Sequence, residues 1–324
     1  MAKQNKPLVS EIFTADPSAH VFNGKLYVYP SHDLPHNGED NDDGDEYQMA
    51  DYHILSMDSP DAPCIDNGEV LHEKEVAWVS HQMWAPDAAE KNGKYYLFFP
   101  ARDKDGIFRI GVATSDSPAG KFTPEPSYIK GSFSIDPAVL KDDDGKYYMY
   151  FGGLWGGQLE KWQTGEYVAN PAEIPNDANA LGPQVAELTD DLLGFKTAPK
   201  EIQILDENGQ PLKAGDHDRR FFEASWMHKY KDTYYFSYST GDTHYLVYAT
   251  GKSPMGPFTY RGRILEPVLG WTTHHSIVEW NGKWYLFYHD CELSNGINHR
   301  RNVKFTEIQY NEDGTIVPVP YKLG

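Results

Sequence analysis

The sequence of 324 residues predicts an all-β chain arranged as a five-bladed β-propeller. The first observation behind this is compositional: 22 Tyr, 15 Phe and 8 Trp stand beside 28 Gly and 22 Pro, a mixture that favours strands and turns over helices. The second is a phrase that recurs five times, a polar turn running into an aromatic strand.

In chain order, the phrase first appears as Asn23-Gly24-Lys25-Leu26-Tyr27-Val28-Tyr29 and then as Asn92-Gly93-Lys94-Tyr95-Tyr96-Leu97-Phe98-Phe99. The third and fourth copies are Asp144-Gly145-Lys146-Tyr147-Tyr148-Met149-Tyr150-Phe151 and Lys231-Asp232-Thr233-Tyr234-Tyr235-Phe236-Ser237-Tyr238, and the fifth is Asn281-Gly282-Lys283-Trp284-Tyr285-Leu286-Phe287-Tyr288. Asn-Gly and Asp-Gly supply the positive φ angles of a two-residue hairpin turn. Short strands such as Ala19–Phe22, Ala138–Leu140 and Ser276–Glu279 precede the turns, so each copy is a β-hairpin. A second phrase, a strand entering a Ser-Pro turn, follows several copies, at Ser59-Pro60, Ser117-Pro118 and Ser253-Pro254; Glu187–Asp190 is a degenerate version. Each unit therefore carries three or four antiparallel strands. A small sheet cannot cover both of its faces alone, and radial stacking of such units is the propeller solution. The strand Thr315–Val319 is expected to pair with Leu8–Phe13 and close the ring.

No composition break divides residues 1–324, which predicts one propeller domain. The net charge of −19 disfavours nucleic acid and anionic membrane surfaces as partners, and no apolar run approaches the roughly 20 residues of a bilayer span. The first residues lack the apolar stretch of a secretory signal, so a cytoplasmic location is expected. Cys64 and Cys291 form no disulfide framework or zinc motif.

The innermost strand of each unit begins just before its hairpin turn, which points the residues there at a shared axis. Those positions hold Asp16, Asp87, Asp136, Glu223 and His274. An isolated Asp-Pro is an ordinary turn, but carboxylates from separate blades in one register repel each other, and burial raises at least one pKa. A protonated acid beside an ionised neighbour is what glycoside hydrolysis requires. Glu223, between Phe221-Phe222 and Trp226, is the expected acid if those aromatics desolvate it. Asp16, in the polar run Thr14-Ala15-Asp16-Pro17-Ser18, is the expected base.

The set Asp16-Pro17, Trp84-Ala85-Pro86-Asp87, Ile135-Asp136-Pro137, Glu223-Ala224 and His274-His275-Ser276 resembles glycoside hydrolase family 43 over nearly the whole chain. That resemblance implies an inverting mechanism with Asp16 as base, Asp136 as the carboxylate that tunes pKa and orientation, and Glu223 as acid. The stretches His32-Asp33 and Tyr52-His53-Ile54-Leu55-Ser56 look most like the single-domain, metal-responsive β-xylosidase branch. The implied substrate is a short β-1,4-xylo-oligosaccharide cut from its end; α-L-arabinofuranosidase activity is the alternative, and a non-catalytic carbohydrate-binding propeller is the rival from another class. The resemblance also implies that His274 holds a hydrated divalent cation of the calcium type in the central channel, and that Arg301, with Arg300 as competitor, binds a sugar hydroxyl and keeps the carboxylates ionised. Trp84 is a candidate apolar wall for the terminal sugar. The acidic segment from Asn37 to Glu46 does not keep the Asp-x-Asp-x-Asp-Gly register of a calcium loop, because the Gly falls one place early. It is expected as a solvated loop at the pocket rim.

Overall fold

The computed structural model describes residues 4–37 and 39–321, and its strands form five separate sheets. Blade I contains Phe13–Phe22, Lys25–Asp33, Asp51–Met57 and Ile65–His72 in sequential antiparallel order. Blade II is built on Asp87–Lys91, Lys94–Asp103, Phe108–Ser115 and Thr123–Pro124, with Val79–His81 added beside the end of Lys94–Asp103. Blade III comprises Ala138–Lys141, Tyr147–Phe151, Gln184–Glu187 and Lys200–Glu201. Blade IV comprises Glu223–Tyr230, Thr233–Ser239, Leu246–Gly251 and Phe258–Leu265, and takes Ile204–Leu205 as a parallel outer strand. Blade V has His275–Trp280, Lys283–Asp290 and Asn302–Ile308.

The first strand of each blade touches the first strand of the next around a closed ring, and this fixes the propeller axis. The turn chemistry explains the hairpins. Asn23-Gly24, Asn92-Gly93 and Asn281-Gly282 all have positive φ at both residues, between 52° and 80°, the backbone that matches strand twist in a tight hairpin. Aromatic residues of the repeats then fill the gaps between blades. Tyr52 and Ile54 of blade I meet Leu97 and Phe99 of blade II, and Phe98 and Ile110 of blade II meet Met149 and Phe151 of blade III. Comparable layers join blades III and IV, IV and V, and V and I.

The ring closes differently from the sequence expectation. The Asn5 and Leu8 amides donate to the Phe305 and Val303 carbonyls, and the Thr14 amide donates to Arg301. Residues 5–14 therefore lie along Asn302–Ile308, the outer strand of three-stranded blade V, while their chain continues into the inner strand of blade I. Val319 instead bridges Leu265 of blade IV, and Ile316 bridges Tyr310. The strand of blade V had a free edge for residues 5–14, which is why Thr315–Val319 does not pair with Leu8–Phe13. No helix among the described residues is long and apolar enough to cross a membrane.

Candidate active site

The ends of the inner strands open into one pocket of about 200 Å³, small enough to suit one end of a ligand more than a long polymer. Asp16, Asp136, Glu223, His274, Trp84 and Arg301 all line it. Local backbone irregularity aims the acids. The ladder between the first two strands of blade I slips between Ala15 and Ser18, and that of blade IV slips between Glu223 and Trp226; such bulges redirect side chains. Asp16 (φ 49°), Asp136 (φ 57°) and Ala224 (φ 64°) occupy the left-handed region, at a cost on the order of 1–3 kcal/mol each.

Asp87 does not join them. It is fully buried, accepts from the Val139 amide at 2.5 Å and contacts His20 Nε2 at 2.6 Å. It ties blades I, II and III together below the pocket, so three of the four axial acids converge and the fourth is a staple. The aromatics flanking Glu223 also divide. Phe222 lines the pocket, whereas Phe221 packs between blades III and IV, and Trp226 packs toward blade V with its indole N–H on the Ile277 carbonyl.

Arg301 organises the remaining charge. Its Nη1 donates to Asp16 Oδ1 at 2.9 Å and its Nη2 and Nε grip the two oxygens of Asp33 at 2.7 and 2.9 Å. The guanidinium also lies 4.9 Å from the centre of the Tyr47 ring. Asp16 Oδ2 accepts from the Ser31 hydroxyl at 2.6 Å. Burial opposes ionisation, but Arg301 outweighs it together with the other partners, and the Asp16 carboxyl is held below the ordinary carboxylate range. In Asp33, burial wins against the same guanidinium and moves the group up. Arg301 lies in the pocket lining and Arg300 does not.

Glu223 makes no hydrogen bond through its carboxyl to any described residue. Burial, then the charge of Asp16, push it up to about 8. Asp136 accepts from the Ala224 amide at 2.7 Å, which fixes the backbone next to Glu223. Burial raises Asp136 to about 7, with Glu223 and Asp16 adding to the rise and His274 opposing it.

His289 was not anticipated. Its Nδ1 accepts from the Asp16 amide at 3.0 Å, and its Nε2 faces Thr272. Burial and the nearby Arg301 lower it to about 3, so the ring is neutral and its 3.4 Å approach to Asp16 Oδ1 is a packing contact. Its signal in the sequence was only that it follows directly on the fifth aromatic run, Trp284 to Tyr288. Asp33 ends the first aromatic strand. Trp155, Phe222 and Trp271 form an aromatic wall at the mouth, with ring centroids 5.1–6.0 Å apart. Trp84 is nearly enclosed, its indole N–H on the Tyr47 carbonyl and its ring on Phe108. Gly44, at φ +71°, admits that ring; a Cβ there would lie 2.7 Å from it. Residues 40–46 of the acidic segment thus reach the pocket, with Asp40, Asn41, Asp42 and Glu46 in its lining.

A model of the glycosyl hydrolases family 43 matches residues 7–316. The chain belongs to that family. Relatives above 50% identity match over nearly their full length. A xylosidase/arabinosidase of Humicola insolens is 65% identical over 320 residues, covering 96% of this chain and 98% of that protein. A β-xylosidase of Xylanibacter ruminicola is 51% identical, covering 95% and 97%. Among solved structures, a family 43 β-xylosidase/α-arabinofuranosidase from a compost microbial metagenome, in complex with xylotriose and described as a calcium-free form, superposes with a TM-score of 0.97. It is 62% identical and the match covers 99% of this chain and 98% of that one. The protein is therefore a family 43 glycoside hydrolase with the five-bladed propeller fold.

Proposed function

We propose that this hydrolase is an exo-acting β-xylosidase that releases terminal xylose from short β-1,4-xylo-oligosaccharides with inversion. The observation that carries the reading is the opposite charge preference of two pocket acids. Glu223, protonated at neutral pH, is the group to give a proton to the departing glycosidic oxygen. Asp16, held ionised beside Arg301, is the group to take a proton from the attacking water. Asp136 is a positioning residue that holds the Ala224 amide beside Glu223. Arg301 positions and charges Asp16, and because all its strong contacts are to protein carboxylates, its part in holding sugar is secondary. Trp84 forms the apolar wall.

The relatives named for both xylosidase and arabinosidase activity support a second activity on terminal α-L-arabinofuranosyl groups at the same pocket. Proton NMR of a xylobiose digest tests the main reading. Early α-xylose is expected; early β-xylose would overturn inversion, and absence of xylose with turnover of an arabinofuranoside would transfer the assignment to the second activity.

His274 is proposed to hold a hydrated divalent cation of the calcium type. Its Nε2 is buried, lacks a hydrogen-bond partner and lies 3.8 Å from Asp136 Oδ2, which fits a cation beside the acids. Its Nδ1 accepts from the His275 amide at 2.8 Å, so the neutral ring carries its proton on Nε2, and direct ligation through Nε2 requires that proton to move. When bound, a cation supplies positive charge that favours ionised carboxylates. Chelation should lower both activity and thermal stability, with calcium restoring them; a protein indifferent to chelator in both respects would remove the cation.

A further inference from the structure

A second group of metal-ligating side chains lies on blade I, outside the pocket lining. His32 is near the end of Lys25–Asp33, and Asp51 and His53 open the neighbouring strand Asp51–Met57. Alternation along that strand puts Asp51 and His53 on one face, the face opposite Tyr52 and Ile54, which pack toward blade II. One ligand atom from each of His32, Asp51 and His53 lies within 4.8 Å of the others, and the two imidazole centroids are 4.8 Å apart.

Three features distinguish this group from a chance cluster of surface charges. Asp51 is buried. His53 has its Nδ1 held by Asp66 at 3.0 Å, the arrangement by which proteins orient a ring and present its Nε2 to a metal, and His32 Nδ1 faces Asp51 Oδ1 directly at 2.5 Å, so a metal there takes the place of the proton the two share. Neither Nε2 has a hydrogen-bond partner among the described residues. Formal charge points the same way. Asp51, Asp66 and Glu69 gather here; His32 pairs with Asp51 and His53 with Asp66, and the lysine paired with this group is Lys121, on Glu69. Asp51 also belongs to a second triad with Glu69 and His72, but there Lys121 occupies Glu69 and the Lys74 amide occupies His72 Nδ1.

We propose that His32, Asp51 and His53 bind a divalent transition metal of the zinc type, with Asp66 orienting His53. Nitrogen and oxygen ligands at about 2.1 Å in a tetrahedron lie about 3.4 Å apart, so on binding the His32–Asp51 pair opens by roughly 1 Å and His53 closes toward it. The site has a consequence through its place in the chain. His32 and Asp51 flank residues 34–50, the segment that leaves blade I, lines the pocket with Asp40 to Met49 and returns. At its base the two limbs are joined by the Leu34 amide on the Gln48 carbonyl. A metal here clamps the neck of the pocket-rim loop, and it does so next to Asp33, which holds Arg301.

The test is zinc binding by untagged, metal-stripped full-length protein, measured calorimetrically. Wild type and His274→Ala should both bind an equivalent of zinc that His53→Ala binds at least tenfold more weakly, and Asp66→Asn should weaken that equivalent about 10–100-fold, as loss of a ring-orienting partner does. Cobalt, as a spectroscopic substitute on the wild-type protein, should give the intense visible bands of a four-coordinate site with nitrogen and oxygen ligands. This readout needs no variant to fold. Absence of saturable zinc binding, zinc binding unchanged in a His32→Ala/His53→Ala double variant, or the weak spectrum of hydrated cobalt would each overturn the proposal. Because none of these readouts is catalytic, failure here leaves the assignment of Glu223 and Asp16 untouched.

Discussion

Glu223 lacks the partner that Asp16 has, because the Arg301 guanidinium is fully engaged by Asp16, Asp33 and Thr272. Two predictions follow at the scale of single side chains. Glu223→Gln should lower kcat on xylobiose by about 10²–10⁴-fold, the usual contribution of a positioned acid. The loss should be much smaller on an aryl xyloside whose phenol leaves without protonation; equal losses on the two substrates would remove Glu223 from the role of acid. Arg301→Met should leave Asp16 and Asp33 buried beside each other with no cation. Breaking a buried ion pair from one side costs about 3–5 kcal/mol, and urea unfolding should read a loss of that order. A variant as stable as wild type would mean that the two carboxyls share a proton without difficulty, and that Arg301 is not what keeps Asp16 ionised.

At the scale of strands, the hairpins were legible because a two-residue turn needs local chemistry, and Asn-Gly supplies it regardless of the rest of the chain. The axial positions of Asp16, Asp136, Glu223 and His274 were legible for the same reason, since each lies eight or nine residues before the second residue of a hairpin turn. Asp87 lies only six residues before Gly93 and has a different fate. The strand after it runs straight into its hairpin, without the slip seen at Ala15–Ser18 or Glu223–Trp226, and its carboxyl is taken by the Val139 amide of the next blade. The shorter spacing to the turn is the trace of this straight ladder in the sequence, while the contacts between blades that take up the carboxyl leave no short-range pattern. Ring closure was misjudged for a related reason: two candidate edge strands look alike in sequence, and only the missing fourth strand of blade V decides between partners. Leu8 makes this closure testable. It is buried with Val303, Phe305 and Phe287, so Leu8→Ala should destabilise the fold by about 2–5 kcal/mol. A change within about 0.5 kcal/mol, the range of neutral surface substitutions, would mean that residues 5–14 are dispensable to the ring.

Across the whole molecule, the pocket acids set a dependence of stability on pH. Glu223 and Asp136 have folded values raised to about 8 and about 7. For a raised carboxyl the folded state holds its proton more tightly than the unfolded state does. Its stabilising contribution is therefore complete below the ordinary carboxylate range and is lost as pH rises through the folded value. Glu223→Gln removes the charge that must otherwise be buried, so it should raise Tm relative to wild type at about pH 9 and change it little at about pH 4. An equal shift at both would show that Glu223 is not protonated in the native protein. The same variant should be more stable and less active, as expected where an active site stores unfavourable charge.

Residues 5–14 and 301–305 lie at opposite ends of the chain yet share one edge. On a ribosome adding about 5–20 residues per second, that edge waits roughly 15–60 s for its partner. Arg301 arrives in the same stretch, so the carboxylate assigned as base acquires its counter-charge only as the last blade is made. A nascent chain with four finished blades has Asp136 and Glu223 in hand and no means of ionising Asp16 beside a guanidinium. Catalytic competence is thus tied to synthesis of the last blade, and a product terminated before Arg301 should remain inert toward sugars.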